Sequence, residues 1–266
     1  MVLIGSDVEY FVQDSKGAVV SAEGLIPGFK TAPARFDPDE PWFATQLDNV
    51  LAEGNIPPAA TADQFVSNME RLYKHMDNLV FTQIGGGLVA KAAHLFHPTQ
   101  LVTEWSKTFG CDPSYNCWTG ELEEVTPLNP MLRSAGFHIH IGYESPSMET
   151  NRAIARAMDL YLGVPSVLLD DQGDLRRKGG YGSAGNFRHQ KHGVEYRTLS
   201  SYLASSPRLL AWAFENARTA YAVATNDGFI ERNPVLRTGS VIQTTINTSD
   251  RAAARSLVRQ YEIPMP

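Results

Sequence analysis

The sequence predicts an α+β fold, with a curved, mostly antiparallel sheet that carries helices on its outer face. Three observations lead there. Three strand-like stretches each set a polar i,i+2 pair on one face and apolar residues on the other: Asp7/Glu9, His138/His140 and Glu195/Arg197. Segments of helical period follow capping signals at Thr61, Ser147 and Ser206. No linker interrupts the 266 residues, so residues 1–266 are expected to form one domain. Strands joined in one sheet would pool the three polar pairs in a single cavity and leave the apolar face to the helices.

The first strand is read over residues 2–12, VLIGSDVEYFV. Asp7 and Glu9 project from one face, about 6.6–7 Å apart along the backbone. Two carboxylates on an apolar strand are costly unless a cation or hydrogen-bond donors meet them. A metal-facing pair is therefore preferred over an edge strand with its acids in water. Asp14-Ser15-Lys16-Gly17 reads as a hairpin turn. Residues 24–41, rich in Pro, Gly and charge, read as loop. Phe43, Thr45 and Leu47 alternate with Ala44, Gln46 and Asp48 as another strand. Asp48, Asn49, Glu53 and Asn55 then offer the oxygen ligands that hard cations accept, although Asn and Asp also favour turns for local reasons.

Thr61 and Gln64 form a capping box for a helix that buries Phe65, Met69, Leu72, Tyr73, Met76 and Val80. Gly85-Gly86-Gly87 lacks the Gly-Lys-Ser/Thr of a phosphate loop and reads as a bend or strand entry. His94 and His97 read as ordinary loop-end histidines, and residues 100–107 as a short helix. In residues 133–143, His138 and His140 share one strand face opposite Phe137, Ile139 and Ile141. Two histidines in register favour a ligand or phosphate-contacting role over core packing. Ser147 is expected to cap a helix through Leu162, Ser206-Pro207 to start a long helix, and Ser249 to cap the last one, with Ala252, Leu257 and Tyr261 inward.

Residues 174–203 hold six of the 23 Lys and Arg residues in a chain of net charge -6. Arg176, Arg177, Lys178, Arg188, Lys191 and Arg197 against that acidic background suggest an anion-binding surface, the alternative being a solvated loop. No basic stripe extends beyond this segment, so no nucleic-acid partner is expected. No apolar run reaches membrane-spanning length, and the start of the sequence lacks signal-peptide character. A cytoplasmic location is expected, or production and use in a host cytosol. Cys111 and Cys117 are too few for a disulfide framework and are expected to be reduced. Carboxylates, imidazoles and arginines together are the equipment of Mg2+-dependent phosphoryl transfer.

The ordered set of motifs resembles the phage-type carboxylate–amine ligases (amidoligases) of the glutamine synthetase and glutamate–cysteine ligase superfamily. The matching pieces are Gly5-Ser6-Asp7-Val8-Glu9, Asp48-Asn49 with Glu53-Gly54-Asn55, Ser134-Ala135-Gly136-Phe137-His138-Ile139-His140, Arg176 with residues 181–188, and Glu195-Tyr196-Arg197. The resemblance implies a half-barrel funnel, ATP, two or three Mg2+ ions (with Mn2+ as a substitute) and an amide formed through an acyl phosphate. It implies metal ligands among Asp7, Glu9, Asp48, Glu53, His138 and Glu195. Nucleotide or phosphate contacts would come from His138, His140, Arg176, Tyr181, Arg188 and Arg197, with Arg188, Arg197 and Glu53 catalytic. The substrates would be a small-molecule or peptide carboxylate and an amine; no membrane partner is implied, and the oligomeric state is left open. Two other readings stand beside it: a metal-dependent hydrolase using His138/His140, and a non-catalytic binding module on a ligase fold.

Overall fold

The computed structural model describes residues 2–108, 113–124, 129–226 and 228–266. Its central strands are β1 (Leu3–Gln13), β2 (Ala44–Asp48) and β3 (Leu51–Asn55), followed by helix α1 (Ala62–Ile84). Then come β4 (Phe137–Gly142), α2 (Met148–Met158), α3 (Val164–Leu169) and α4 (Gly173–Lys178). The hairpin β5 (Asn186–Gln190) and β6 (Gly193–Tyr196) precedes α5 (Pro207–Ala224) and α6 (Arg251–Gln260). The central order is β5-β6-β4-β1-β3-β2, extended by short strands at both ends. Among the described residues every strand pairing is antiparallel except that of Gly28–Phe29 with β2. The two ends of the order do not meet, so among the described residues the sheet is open.

One face of this sheet is apolar and covered. Val8 and Tyr10 of β1, Phe137, Ile139 and Ile141 of β4, and Val194 and Tyr196 of β6 are buried there. Phe65 of α1 bridges the layers, its ring 6.4 Å from Phe137 and 5.6 Å from Phe214 of α5. Helix α1 packs so closely on β3 that a Cβ on Gly54 would lie 2.6 Å from Leu72 Cδ1. The helix starts where its capping signal sits, with Thr61 accepting from the Gln64 N–H, and it buries Phe65, Met69, Leu72, Met76 and Val80 as its periodicity predicts, while Tyr73 is only half-buried.

Several expectations need correction. Residues 24–41 are not all loop: Gly28–Phe29 and Ala32–Arg35 pair at the sheet edge, where Pro33 is tolerated because an edge strand leaves N–H positions unused. Residues 51–55, read only as a group of oxygen ligands, form the second strand of a hairpin that turns at Asn49 with φ 56°. The helix capped by Ser147 does not stop at Leu162. A π-type widening over Asp159–Gly163 carries it into α3, just ahead of Pro165, which lacks the N–H that a regular turn would use. Residues 100–107 divide into a 3-10 turn at Pro98–Gln100 and a helix at Glu104–Lys107. Ser249 has φ 55°, unsuited to an N-cap, and Asp250 caps α6 by accepting from Ala252 and Ala253. Leu257 is buried as expected and Tyr261 packs half-buried on the core, but Ala252 is exposed and Ala254 takes the inward place. Cys117 is a buried free thiol, and Cys111 lies outside the described residues. Among the described residues no helix is long and apolar enough to cross a membrane.

Candidate active site

Strand register builds the site. Paired residues in a sheet share a face, and faces alternate along each strand. Asp7 of β1 lies opposite Asn55 of β3 on one side and His138 of β4 on the other. Glu9 lies opposite Glu53, which lies opposite Gln46. His140 lies opposite Glu195, which lies opposite Arg188. The three polar pairs therefore share the uncovered face, where they line a cavity of about 260 Å³. Asp48, Arg176, Tyr181 and Arg197 complete its wall, so the structure brings together every residue singled out as a site candidate.

One part of the cavity is electrically compensated. Asp7 Oδ1 lies 3.0 Å from His138 Nδ1 and 3.1 Å from His140 Nε2. Burial alone would raise the Asp7 carboxyl, but the two imidazoles outweigh it and hold the group well below its usual range. Conversely, burial disfavours the charged form of His140, yet Asp7 beside it raises its pKa. Glu195 accepts from Arg197 Nη1, from Arg188 Nη1 at 3.4 Å and from Gln190 Nε2 at 2.6 Å. Burial and Asp7 push Glu195 up; Arg197 and the imidazoles prevail and lower it.

The other part is overloaded with acid. Burial, followed by the Glu9 carboxylate, pushes Asp48 up to about 7, against the opposing effects of Lys30 and Arg197. Burial, then Asp48, Asp7 and Glu9, carry Glu53 well above the carboxylate range, although Gln46 Nε2 donates to its Oε2 at 2.6 Å. Glu9 is held by the backbone of Gly136, whose N–H donates to Glu9 Oε2 at 2.5 Å. Gly136 has no room for a side chain, because a Cβ would meet His138 Nε2 at 2.5 Å. At the far wall Arg176 is buried and donates to Ser134 Oγ at 2.7 Å; burial lowers its pKa to about 10, and its Nε has no partner among the described residues.

These groups fit a divalent cation. Asp7, His140 and Glu195 offer ligand atoms that all lie within 4.8 Å of one another. His138 Nδ1 is buried beside them without an aligned hydrogen bond. Glu9, Asp48 and Glu53 stand outside this group, on the overloaded side of the same cavity.

The basic segment divides in a way its composition does not reveal. Arg176, Arg188 and Arg197 reach the cavity. Arg177 instead turns away and donates to Ser249 Oγ, Lys178 pairs with Asp174 at the surface, and Lys191 lies on an exposed turn. Sequence reasoning missed Gln46 and Gln190 as site residues, although each lies two positions from a recognised one and so shares its strand face. It also missed Lys30, which no local pattern marks.

The model of the phage phiEco32-like COOH.NH2 ligase-type 2 family matches residues 126–261, about half of the sequence. The chain belongs to that family. The matched span of this carboxylate–amine ligase family member contains His138, His140, Arg176, Tyr181, Arg188, Glu195 and Arg197. Asp7, Glu9, Asp48 and Glu53 come from outside it and are delivered to the site by the pairing of β1, β2 and β3. Among solved structures, similarity is found to a bifunctional glutathione synthetase from Pasteurella multocida, at 11% identity and a TM-score of 0.42. That match covers 98% of this chain and 49% of the other, so this chain spans about half of its length. No protein with a curated description matches the sequence.

Proposed function

We propose that residues 1–266 act as one catalytic unit, an ATP- and Mg2+-dependent ligase that joins a carboxylate to an amine through an acyl phosphate, on a sheet shaped like the glutamine synthetase funnel. The single observation that carries this reading is the register-locked row of carboxylates, imidazoles and arginines on one open sheet face, in a chain of the carboxylate–amine ligase family.

Asp7, His140 and Glu195 are the residues that would hold a cation, with His138 beside them. A bound Mg2+ supplies neutralisation of phosphate charge. Arg188 and Arg197 face the same space and orient phosphoryl oxygens by charged hydrogen bonds. Arg176, set into the wall of the same cavity, offers positive charge to an anionic group of the acyl substrate. A carboxylate oxygen of that substrate attacks the γ-phosphorus, the bond to the β-phosphate oxygen breaks, and ADP leaves. The amine nitrogen then attacks the acyl carbon, the C–O bond to phosphate breaks, and inorganic phosphate leaves. The proton released by the amine passes to Asp48, whose pKa of about 7 suits a group that takes a proton near neutrality.

The test is ADP release by the full chain supplied with Mg2+, ATP, a pool of carboxylates and a pool of amines. Release that requires both pools supports the proposal. Release that ignores them, or none under any combination, overturns it.

A further inference from the structure

A second cavity, of about 320 Å³, adjoins the first and shares Asp7, Asn55 and His140 with it. Its character differs: Leu3, Trp42, Ile56 and Pro58 make its walls apolar, and the His192 ring lies nearly parallel to that of His140, at 6.0 Å and 23°. The floor is formed by two strand glycines, Gly5 of β1 and Gly142 of β4. Neither has a positive φ, and neither is required by packing. A Cβ on Gly5 would come no closer than 3.7 Å to Pro58 Cα, and one on Gly142 no closer than 3.6 Å to His192 O. Gly54 and Gly136 are excluded from bearing side chains by their neighbours; Gly5 and Gly142 are not. Glycine weakens a strand, so one without a steric reason marks a place where something else approaches the backbone.

We infer that this cavity is the subsite for the purine ring of the nucleotide, which lies flat on the Gly5 and Gly142 backbone between Trp42 and His192. The inference rests on the ligase reading above and adds to it the direction in which the nucleotide lies. An apolar floor with aromatic edges suits a ring system, and the Asn55 amide is a neutral polar side chain beside it that can read a ring edge. The wall shared with the main cavity carries Asp7 and His140, two of the three residues suited to a cation. A ligand with a ring at one end and phosphates at the other would place the phosphates at that group and at Arg188 and Arg197 beyond it. The acyl and amine substrates then approach from the Asp48, Glu53 and Arg176 side.

The experiment is calorimetric titration of the full chain, with Mg2+ present, by a non-hydrolysable ATP analogue and separately by inorganic tripolyphosphate. Two variants are compared with wild type: Gly5→Val, which fills the floor with a residue that strands accept, and Trp42→Ala, which removes a side chain 60% exposed. Each variant is expected to weaken the ATP analogue at least about tenfold, equivalent to about 1.4 kcal/mol, and to leave tripolyphosphate nearly unchanged. Should Gly5→Val not fold, Trp42→Ala decides alone. Unchanged affinity for the analogue, or equal weakening of both probes, overturns the inference. Wild-type protein that binds tripolyphosphate as tightly as the analogue also overturns it while leaving the ligase reading standing. Wild-type protein that binds neither removes both.

Discussion

Glu195 and Tyr196 are neighbours in one strand, yet they look out on two different treatments of buried acid. On the Tyr196 side, Asp159 in the π-type turn is fully buried, and burial pushes its pKa up to about 6. Tyr196 OH donates to one of its oxygens at 2.7 Å and Trp118 Nε1 to the other at 2.7 Å. On the Glu195 side, burial likewise raises Asp48 and Glu53, but there other carboxylates add to the burden. The difference separates an acid met by neutral donors from acids crowded by like charge. Burial alone makes a carboxylate titrate late; crowding by like charge in an open cavity raises it further and marks a candidate for proton transfer.

The largest effect that can break this comparison is in turnover. Glu195→Gln removes a proposed cation ligand and the negative charge that Arg188 and Arg197 meet. Ligase turnover is expected to fall by about 10³ and unfolding stability by about 3–5 kcal/mol, measured by ADP release and urea denaturation. Asp159→Asn should leave turnover near that of wild type.

The next effect is the response to metal. Mg2+ at about 100 times its Kd should stabilise the wild-type chain by about 2.7 kcal/mol in urea titrations. Asp48→Asn should stabilise the metal-free protein, by relieving repulsion, whereas Asp7→Asn should respond less to Mg2+. Asp159→Asn should retain the full response.

A smaller effect is the pH dependence of stability. The native pKa of Asp159, about 6, lies above its ordinary 3.8, so the folded chain binds more protons than the unfolded one in between. Stability from this group is complete below about pH 4, falls by at most about 1.4 kcal/mol per pH unit up to about pH 6, and is level above that. Urea midpoints measured across this range for wild type and Asp159→Asn should differ by that slope. The smallest effect is that of Tyr196→Phe, which takes one donor from Asp159. It should cost roughly 1 kcal/mol and raise the Asp159 pKa further without changing the Mg2+ response.

The two faces were not equally legible in the sequence. The site face announced itself because alternation is local: Asp7 and Glu9, or His138 and His140, declare a shared face two residues apart. The helix of Thr61 was legible for the same reason, since its cap and its apolar stripe lie within one segment. Which strands would be neighbours was not legible, because the Glu9–Glu53 and His140–Glu195 pairings join residues far apart in sequence. The separate fates of Arg176 and Arg177 were equally hidden, since they depend on what packs around α4 rather than on charge density. Asp159 escaped notice because a single acid in a helical run carries no pattern. Its partners Trp118 and Tyr196 become visible only in three dimensions.

The central claim is that Asp7, His140 and Glu195, brought from three strands, hold one divalent cation. Electron paramagnetic resonance of the chain with Mn2+ in place of Mg2+ tests it most directly. One tightly held Mn2+ with a nitrogen coupling from an imidazole, lost in His140→Gln and with binding weakened in Asp7→Asn, is the expected result. Manganese that stays free in solution, or a bound ion whose nitrogen coupling survives His140→Gln, would contradict the account.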